Sequence, residues 1–249
     1  VKSKPCSIPI RAEAASPEAC SASLRREILA RSDLFIDLPA DILDEVSPRF
    51  REVHHPAEAV ICHEGSRANQ LFFVAHGKVK LLRHSPAGKD VVLDILGQAG
   101  LFGGLAPLGT RRYPETAIAQ TPCCVLAISG DEFQALLQQH PPVALAVLRS
   151  VAHSLEDARE TIRRITTSDV RVRIAAVLLR MAERMGDESA EGVLIRAPLS
   201  RLDLAAMVGA TPETASRVMA DFKREGLLDS GRQWVRIRDR GRLAAIGRG

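Results

Sequence analysis

The sequence predicts an α+β protein in three parts: an N-terminal β-roll of jelly-roll type, a long helix, and a C-terminal winged helix-turn-helix. Three observations predict it. Short β-type runs with glycine at their corners fill residues 51–129. An apolar seam at alternating spacings of three and four runs through residues 148–165. A helix, a glycine-containing turn, a second helix and a hairpin follow one another from 201 to 237. A chain of 249 residues is long enough for two domains with separate cores.

The first residues, "VKSKPCSIPIRAEAASPEACSAS", are polar and rich in Pro, Ala and Ser, with no apolar signal-peptide core. Residues 1–24 are therefore expected to be a flexible tail. No apolar run approaches the roughly 18 residues of a membrane span, so no membrane partner is expected and the chain is placed in the cytoplasm. "LRREILARSDLFIDLPADILDEVSPRF" has mostly helical apolar spacing interrupted by Pro39, which fits two short helices. The runs "AVICHEG", "QLFFVAHGKVKLLRHS", "DVVLDILG" and "ETAIAQTPCCVLAIS" then read as strands. "HG" and "SPAGKD" supply turn signals between them. Residues 25–141 are taken together as one β-roll domain.

A helix is predicted from about Pro142 to Thr167, residues 142–167. Leu148, Val151, Leu155, Ala158, Ile162 and Ile165 form its seam, and charged residues flank it closely. A stripe this narrow suits a parallel partner helix, so a homodimer is expected. Residues 168–249 form the last domain. "DVRVRIAAVLLRMAERMG" is an amphipathic helix ending at Gly186, "EGVLIRAPL" a strand, and "SRLDLAAMVG" a short helix. Thr211 to Glu225 is a second helix, and "LLDSGRQWVRIRD" a hairpin around Ser230-Gly231.

Charge singles out this last domain. The chain carries 34 Lys/Arg and 30 Asp/Glu, a net +4. From Ser168 onward there are 15 basic and 11 acidic residues, and the 19 of each upstream cancel. A basic C-terminal module favours a polyanion partner, here double-stranded DNA.

The helix from Thr211 has the make-up of a reader of base edges. Thr211 can cap it, Pro212 suits its first turn, and Gly226 can end it. Glu213, Ser216 and Arg217 share one face at i, i+3 and i+4. Arg217 can contact guanine O6 and N7 bidentately, Glu213 can accept from cytosine N4 or orient that arginine, and Ser216 can donate or accept. Arg201, Thr211, Lys223, Arg224, Arg232 and Arg236 are the candidates for phosphate contacts, which fix register. The bland alternative is a Glu213–Arg217 ion pair on a solvated helix.

At this point the residues resemble a known family. "LSRLDLAAMVGATPETASRVMADFKREGLL" is similar to the DNA-binding motif of the CRP/FNR superfamily of bacterial transcription regulators. "GKVKLLRHSPAGKDVVLDILGQAGLFGG" resembles its glycine-punctuated β-roll, the cyclic-nucleotide-binding-like jelly roll. Glu213, Ser216 and Arg217 match the E-x-x-S-R pattern of the FNR/DNR-like branch. Pro212 and Ser216 depart from the cAMP-receptor branch, which has arginine and usually glycine there. The resemblance implies a homodimer binding a TTGAT-like inverted repeat under a redox or gas (oxygen or nitric oxide) signal, with RNA polymerase as a further partner if it activates. A cyclic nucleotide, another small effector, or no effector at all are the alternatives.

The family's nucleotide pocket uses a glutamate for the ribose and Arg-Ser or Arg-Thr for the phosphate. Here Gly104 stands in the glutamate place, and Tyr113-Pro114-Glu115-Thr116 replace the phosphate arginine, so cAMP is not the expected ligand. Leu101, Gly103, Gly104, Tyr113 and Thr116 are the candidate effector pocket. For metals, the weak candidates are Cys6, Cys20, Cys62, His63, Cys123 and Cys124. Relatives of the DNR type use haem, so haem is an open cofactor. An iron–sulfur cluster fits less well, because the tail offers only Cys6 and Cys20 where three closely spaced cysteines are needed. Alternation along a strand predicts one of Cys123 and Cys124 packed and the other facing out. Five irregularly spaced cysteines do not suggest a disulfide framework. An enzyme is not expected: a cupin-like metalloenzyme would need HxH-type spacing, which the chain lacks.

Overall fold

The computed structural model describes residues 22–84, 90–104, 109, 111–231 and 233–248. The tail expected over 1–24, with Cys6 and Cys20, lies outside these except for its last three residues, which already belong to a helix, and Arg232 lies outside as well.

Two short helices, α1 (Ala22–Arg31) and α2 (Ala40–Val46), open the described chain on either side of Pro39, followed by a 3-10 turn at Ser47–Arg49. Eight strands follow: β1 (Arg51–His55), β2 (Val60–Cys62), β3 (Gln70–His76), β4 (Val79–His84), β5 (Asp90–Leu96), β6 (Leu101–Gly103), β7 (Thr116–Ala119) and β8 (Cys123–Ser129). They pair antiparallel into two four-stranded sheets, ordered β1-β8-β3-β6 and β2-β7-β4-β5. Two facing sheets give the β-roll that many short, glycine-cornered runs require.

Both faces of the first sheet are covered. On one side Phe35, Phe50 and Phe73 meet with centroids 5.6–5.9 Å apart, sealed by α1, α2 and the start of the long helix. On the other, Phe72 stacks on Phe102 at 5.0 Å. This corrects the expectation for the adjacent cysteines. Cys124 packs in the first cluster and Cys123 in the second, so both are buried. Alternation holds, but each face of β8 has its own core. Cys124 is also disulfide-bonded, which the odd cysteine count did not suggest.

Helix α3 (Gly130–Gln139) begins with a Ser129/Glu132 capping box, and α4 (Pro141–Thr167) runs for 27 residues. Only its first turns are buried, through Val143, Ala146 and Val147. Leu148, Val151, Leu155, Ile162 and Ile165 are 47–64% exposed, and Ala158 is exposed too, so the whole predicted seam is bare in the single chain.

The last module starts at α5 (Val170–Met185), capped by Asp169, whose carboxylate accepts from Val172 N at 2.9 Å. Then come β9 (Gly186–Ser189), β10 (Gly192–Arg196), α6 (Arg201–Val208), α7 (Pro212–Arg224), β11 (Leu228–Gly231), β12 (Trp234–Ile237) and α8 (Arg240–Arg248). The strands order β11-β12-β10-β9. Two elements of this module escaped the sequence reading, as α3 did before it: β9, which is almost entirely polar, and α8, whose Leu243 is fully buried. The hairpin turn is also shifted. Ser230 and Gly231 lie inside β11, paired with Val235 and Trp234, so the chain reverses after Gly231.

The module rests on the roll. Val92 and Ile95 of β5 belong to its apolar core, Lys80 Nζ lies 3.3 Å from Asp203, and Gln120 donates to the Pro198 carbonyl at 2.7 Å. Among the described residues no helix is long and apolar enough to cross a membrane.

Candidate nucleic-acid interface and sensor pocket

Helix α7 is held from three directions. Ala215, Val218, Met219 and Phe222 are 0–8% exposed and bind it to α5, α6 and β11. A fully buried phenylalanine contributes about 1.5–3 kcal/mol by transfer alone. At its start the Thr211 side chain accepts from Thr214 N at 3.3 Å, and Pro212 occupies the first turn. At its end Arg171 bonds Glu225 at 2.6 Å and lies 4.7 Å over the Phe222 ring. Sequence reading missed this clamp, because residues 171 and 225 have no local relationship.

Helix α6 before it ends at Gly209, whose φ of +62° closes the turn in the left-handed region. A capping box between Ser200 and Asp203 starts it. The helix pair therefore has fixed ends, and α7 presents an outer face set by its buried one.

Glu213, Ser216 and Arg217 all lie on that outer face and are exposed. Glu213 does not pair with Arg217. Its own backbone N–H, then the Thr211 hydroxyl, hold its carboxyl below the usual carboxylate range. Among the described residues Arg217 and Lys223 form no ion pair, so both keep their charge for an outside partner.

The other cations proposed for phosphates are less free. Arg201 is half-buried and donates to Ser230 Oγ at 3.1 Å. Arg224 pairs with Asp221 one turn back. Arg236 bonds Glu191 and lies 5.9 Å over the Trp234 ring, with only 15% of its side chain exposed. Arg201 finds its partner on β11, Arg224 one helical turn back and Arg236 in the turn between β9 and β10, contacts that a count of charges does not reveal.

The candidate effector residues do not enclose one space. Tyr113 is buried among Ala68, Phe72 and Phe102, donates to Asn69 Oδ1 at 3.0 Å and accepts from Gln70 N at 3.2 Å. Thr116 is buried and accepts from Glu64 N at 3.0 Å. A Cβ on Gly104 would come 2.1 Å from the Ala68 Cβ, so the glutamate place has no room for a side chain. Gly103 sits with φ +105° against the Gln70 carbonyl and the Phe72 ring. Leu101 packs toward the opposite side of the sheet and lines a separate cavity of about 500 Å³ with Ser150, Ser154 and Arg184. Burial also pushes the Glu115 carboxyl up.

The thiols tell a similar story. Burial pushes Cys62 and Cys123 up to about 11, so both are protonated near neutral pH. His63 beside Cys62 is exposed and lies just past the end of β2. Among the described residues no three His, Cys, Asp or Glu side chains are grouped to hold a metal ion. Cys124, being disulfide-bonded, has no thiolate to offer a cluster, and the described residues do not fit an iron–sulfur site. For haem, His55 has a buried Nε2 without a hydrogen-bond partner, beside Cys123 across the β1–β8 ladder.

Comparison with known proteins agrees with this layout. Residues 52–140 match the cyclic nucleotide-binding domain family, and residues 172–246 match the Crp-like helix-turn-helix domain family. The chain is 27% identical over 222 residues to the CRP-like cAMP-activated global transcriptional regulator of Mycobacterium tuberculosis, covering 89% of this chain and 99% of that protein. It is 28% identical over 218 residues to the cyclic AMP receptor protein of Thermus thermophilus, covering 88% and 98%. Among solved structures, FixK2 from Bradyrhizobium japonicum superposes with a TM-score of 0.71 at 22% identity, over 79% of this chain and 96% of that one. A CooA mutant from Carboxydothermus hydrogenoformans gives 0.66 at 22% identity, over 80% and 88%. At such identities the structures speak for the fold alone.

Proposed function

We propose that this chain, which belongs to the CRP/FNR superfamily of DNA-binding transcription regulators, works as a cytoplasmic homodimer that reads a TTGAT-like inverted repeat. The division of labour follows residues 25–141 as sensor, 142–167 as dimerisation helix and 168–249 as DNA-binding domain, after a tail over 1–24. The observation that carries the reading is the outer face of α7: Glu213, Ser216 and Arg217 are exposed, and Arg217 forms no ion pair among the described residues. Two-fold pairing through the bare α4 seam would set two such helices about 34 Å apart, in successive major grooves. Arg217, Glu213 and Ser216 read base edges, Lys223 and Thr211 meet phosphates, and Arg201, Arg224, Arg232 and Arg236 are secondary contacts. RNA polymerase is a partner if the regulator activates.

Replacing Arg217 tests this. Arg217→Ala should weaken the cognate site by roughly 1–3 kcal/mol and flatten preference at one guanine per half-site, measured by titration of a base-substituted operator series. An equal loss on every sequence would make Arg217 a phosphate contact and end the base-reading assignment.

For the signal, the reading is a redox or gas input rather than a cyclic nucleotide. What supports it is the closed nucleotide place: Gly104 against Ala68, and Tyr113 where a phosphate arginine would stand. The rival reading, a cyclic nucleotide, is favoured by relatives named as a cAMP-activated regulator and a cyclic AMP receptor protein. Calorimetry with cAMP, beside an absorption spectrum of protein purified without oxygen, separates the two. Saturable cAMP binding would replace the redox reading.

A further inference from the structure

The outside of the roll carries a basic cluster that the DNA-reading face does not explain. Gly65 N donates to the Tyr113 carbonyl at 2.9 Å, Tyr113 N to the Ser66 carbonyl at 2.9 Å, and Ala68 N to the Arg111 carbonyl at 3.1 Å. This short antiparallel ladder lies outside the named strands, with Arg67 directly opposite Arg112. Like charges facing each other across a ladder are destabilising, and Arg111 adds a third. No ion pair relieves them among the described residues. Arg112 donates to the Gly65 carbonyl at 2.6 Å, which fixes its guanidinium without neutralising it. The neighbouring Glu64 is already engaged, accepting from Arg83 Nε at 3.0 Å and from His84 N at 3.2 Å.

Arg67, Ala68, Arg111 and Arg112 line an open cleft of about 550 Å³. All three arginines are exposed, so the cleft faces solvent, and buried Ala68 divides it from the Tyr113–Phe72–Phe102 core. Guanidinium forks match phosphate oxygens bidentately, and such charge-assisted bonds are about twice as strong as neutral ones. Three forks around one cleft exceed what a single phosphate group needs and suit a chain of them.

We propose that this cleft is a binding site for a polyphosphate group, either free or as the phosphate chain of a nucleotide. The ligand's negative charge relieves the Arg67–Arg112 repulsion, which ties its binding to the ladder that also carries Tyr113. An anion held there would stiffen the outer edge of the sensor domain without entering its core.

Titration calorimetry of the intact protein with tripolyphosphate, and separately with ATP, tests the site. Saturable binding is expected with both, weakening as salt rises. Arg67→Gln combined with Arg111→Gln removes two side chains that form no ion pair among the described residues, and should weaken binding about tenfold or more while leaving operator DNA binding intact. Arg217→Ala, on the other module, should leave tripolyphosphate binding unchanged. Equal affinities for the two ligands assign the phosphate chain itself, whereas ATP binding at least about tenfold tighter assigns a nucleotide. Absence of saturable binding, full binding by the double variant, or loss of binding in Arg217→Ala would each overturn the proposal.

Discussion

The two ends of this chain treat their polar groups in opposite ways. In the C-terminal module the informative side chains stand outside: Glu213, Ser216 and Arg217 are exposed on a helix whose other face is fully packed. In the roll the corresponding positions have turned inward. Tyr113 is buried with both its hydrogen-bonding capacities used, Thr116 is buried against Glu64 N, and Gly104 abuts Ala68. A reading surface must leave its bonds unmade until the partner arrives. A site whose bonds are already made belongs to the core. The long helix α4 joins the two regions and behaves like the first, because its apolar seam is left bare.

The largest expected effect falls on that junction. Leu155→Asp places a charge at the middle of the bare seam, where a partner helix would bury it. Burying an unpaired charge is far more costly than a paired one, so the variant should sediment as a monomer. Operator affinity should then fall by about two orders of magnitude or more, since one half-site contact replaces two. A variant that still sediments as a dimer would move the interface off α4 and remove the proposed spacing of the recognition helices.

What the sequence made legible follows the same division. Short-range rules placed α7 within a residue of its ends: Thr211 as cap, Pro212 in the first turn, and Ala215, Val218, Met219 and Phe222 as the packed face. The α4 seam was likewise readable from spacing alone. Long-range facts were not. Nothing near residue 171 announces that its guanidinium holds the far end of α7, and nothing near Lys80 announces Asp203. Cys123 and Cys124 show the limit well. The strand was recognised and its alternation was right, yet one sheet face was assumed to meet solvent, and only the packing of helices α1, α2 and α4 shows otherwise. Arg236 shows the same limit, because Glu191 reaches it from the turn between β9 and β10, far away along the chain.

Two glycines sharpen the comparison at finer scale, because each is required for a different reason. Gly104 in the roll is required by space. An added Cβ would lie 2.1 Å from the Ala68 Cβ and 3.3 Å from its Cα, and backbone must move to admit it. Gly104→Ala should therefore cost about 1–3 kcal/mol through overpacking, read as a lowered denaturant midpoint with unchanged slope. Gly209 between the two helices is required by conformation instead. It has φ +62° and nothing within 4 Å of an added Cβ, so a methyl group meets only the strain of the left-handed region. Gly209→Ala should cost about 1 kcal/mol, at or below the cost at Gly104. Replacing Ala68 by glycine should rescue Gly104→Ala, since the clash is with that side chain, whereas no neighbour exists to rescue Gly209→Ala. If Ala68→Gly fails to restore the midpoint of Gly104→Ala, the roll is not closed by the contact between these residues, and the contrast between a filled sensor core and an open reading face loses its sharpest support.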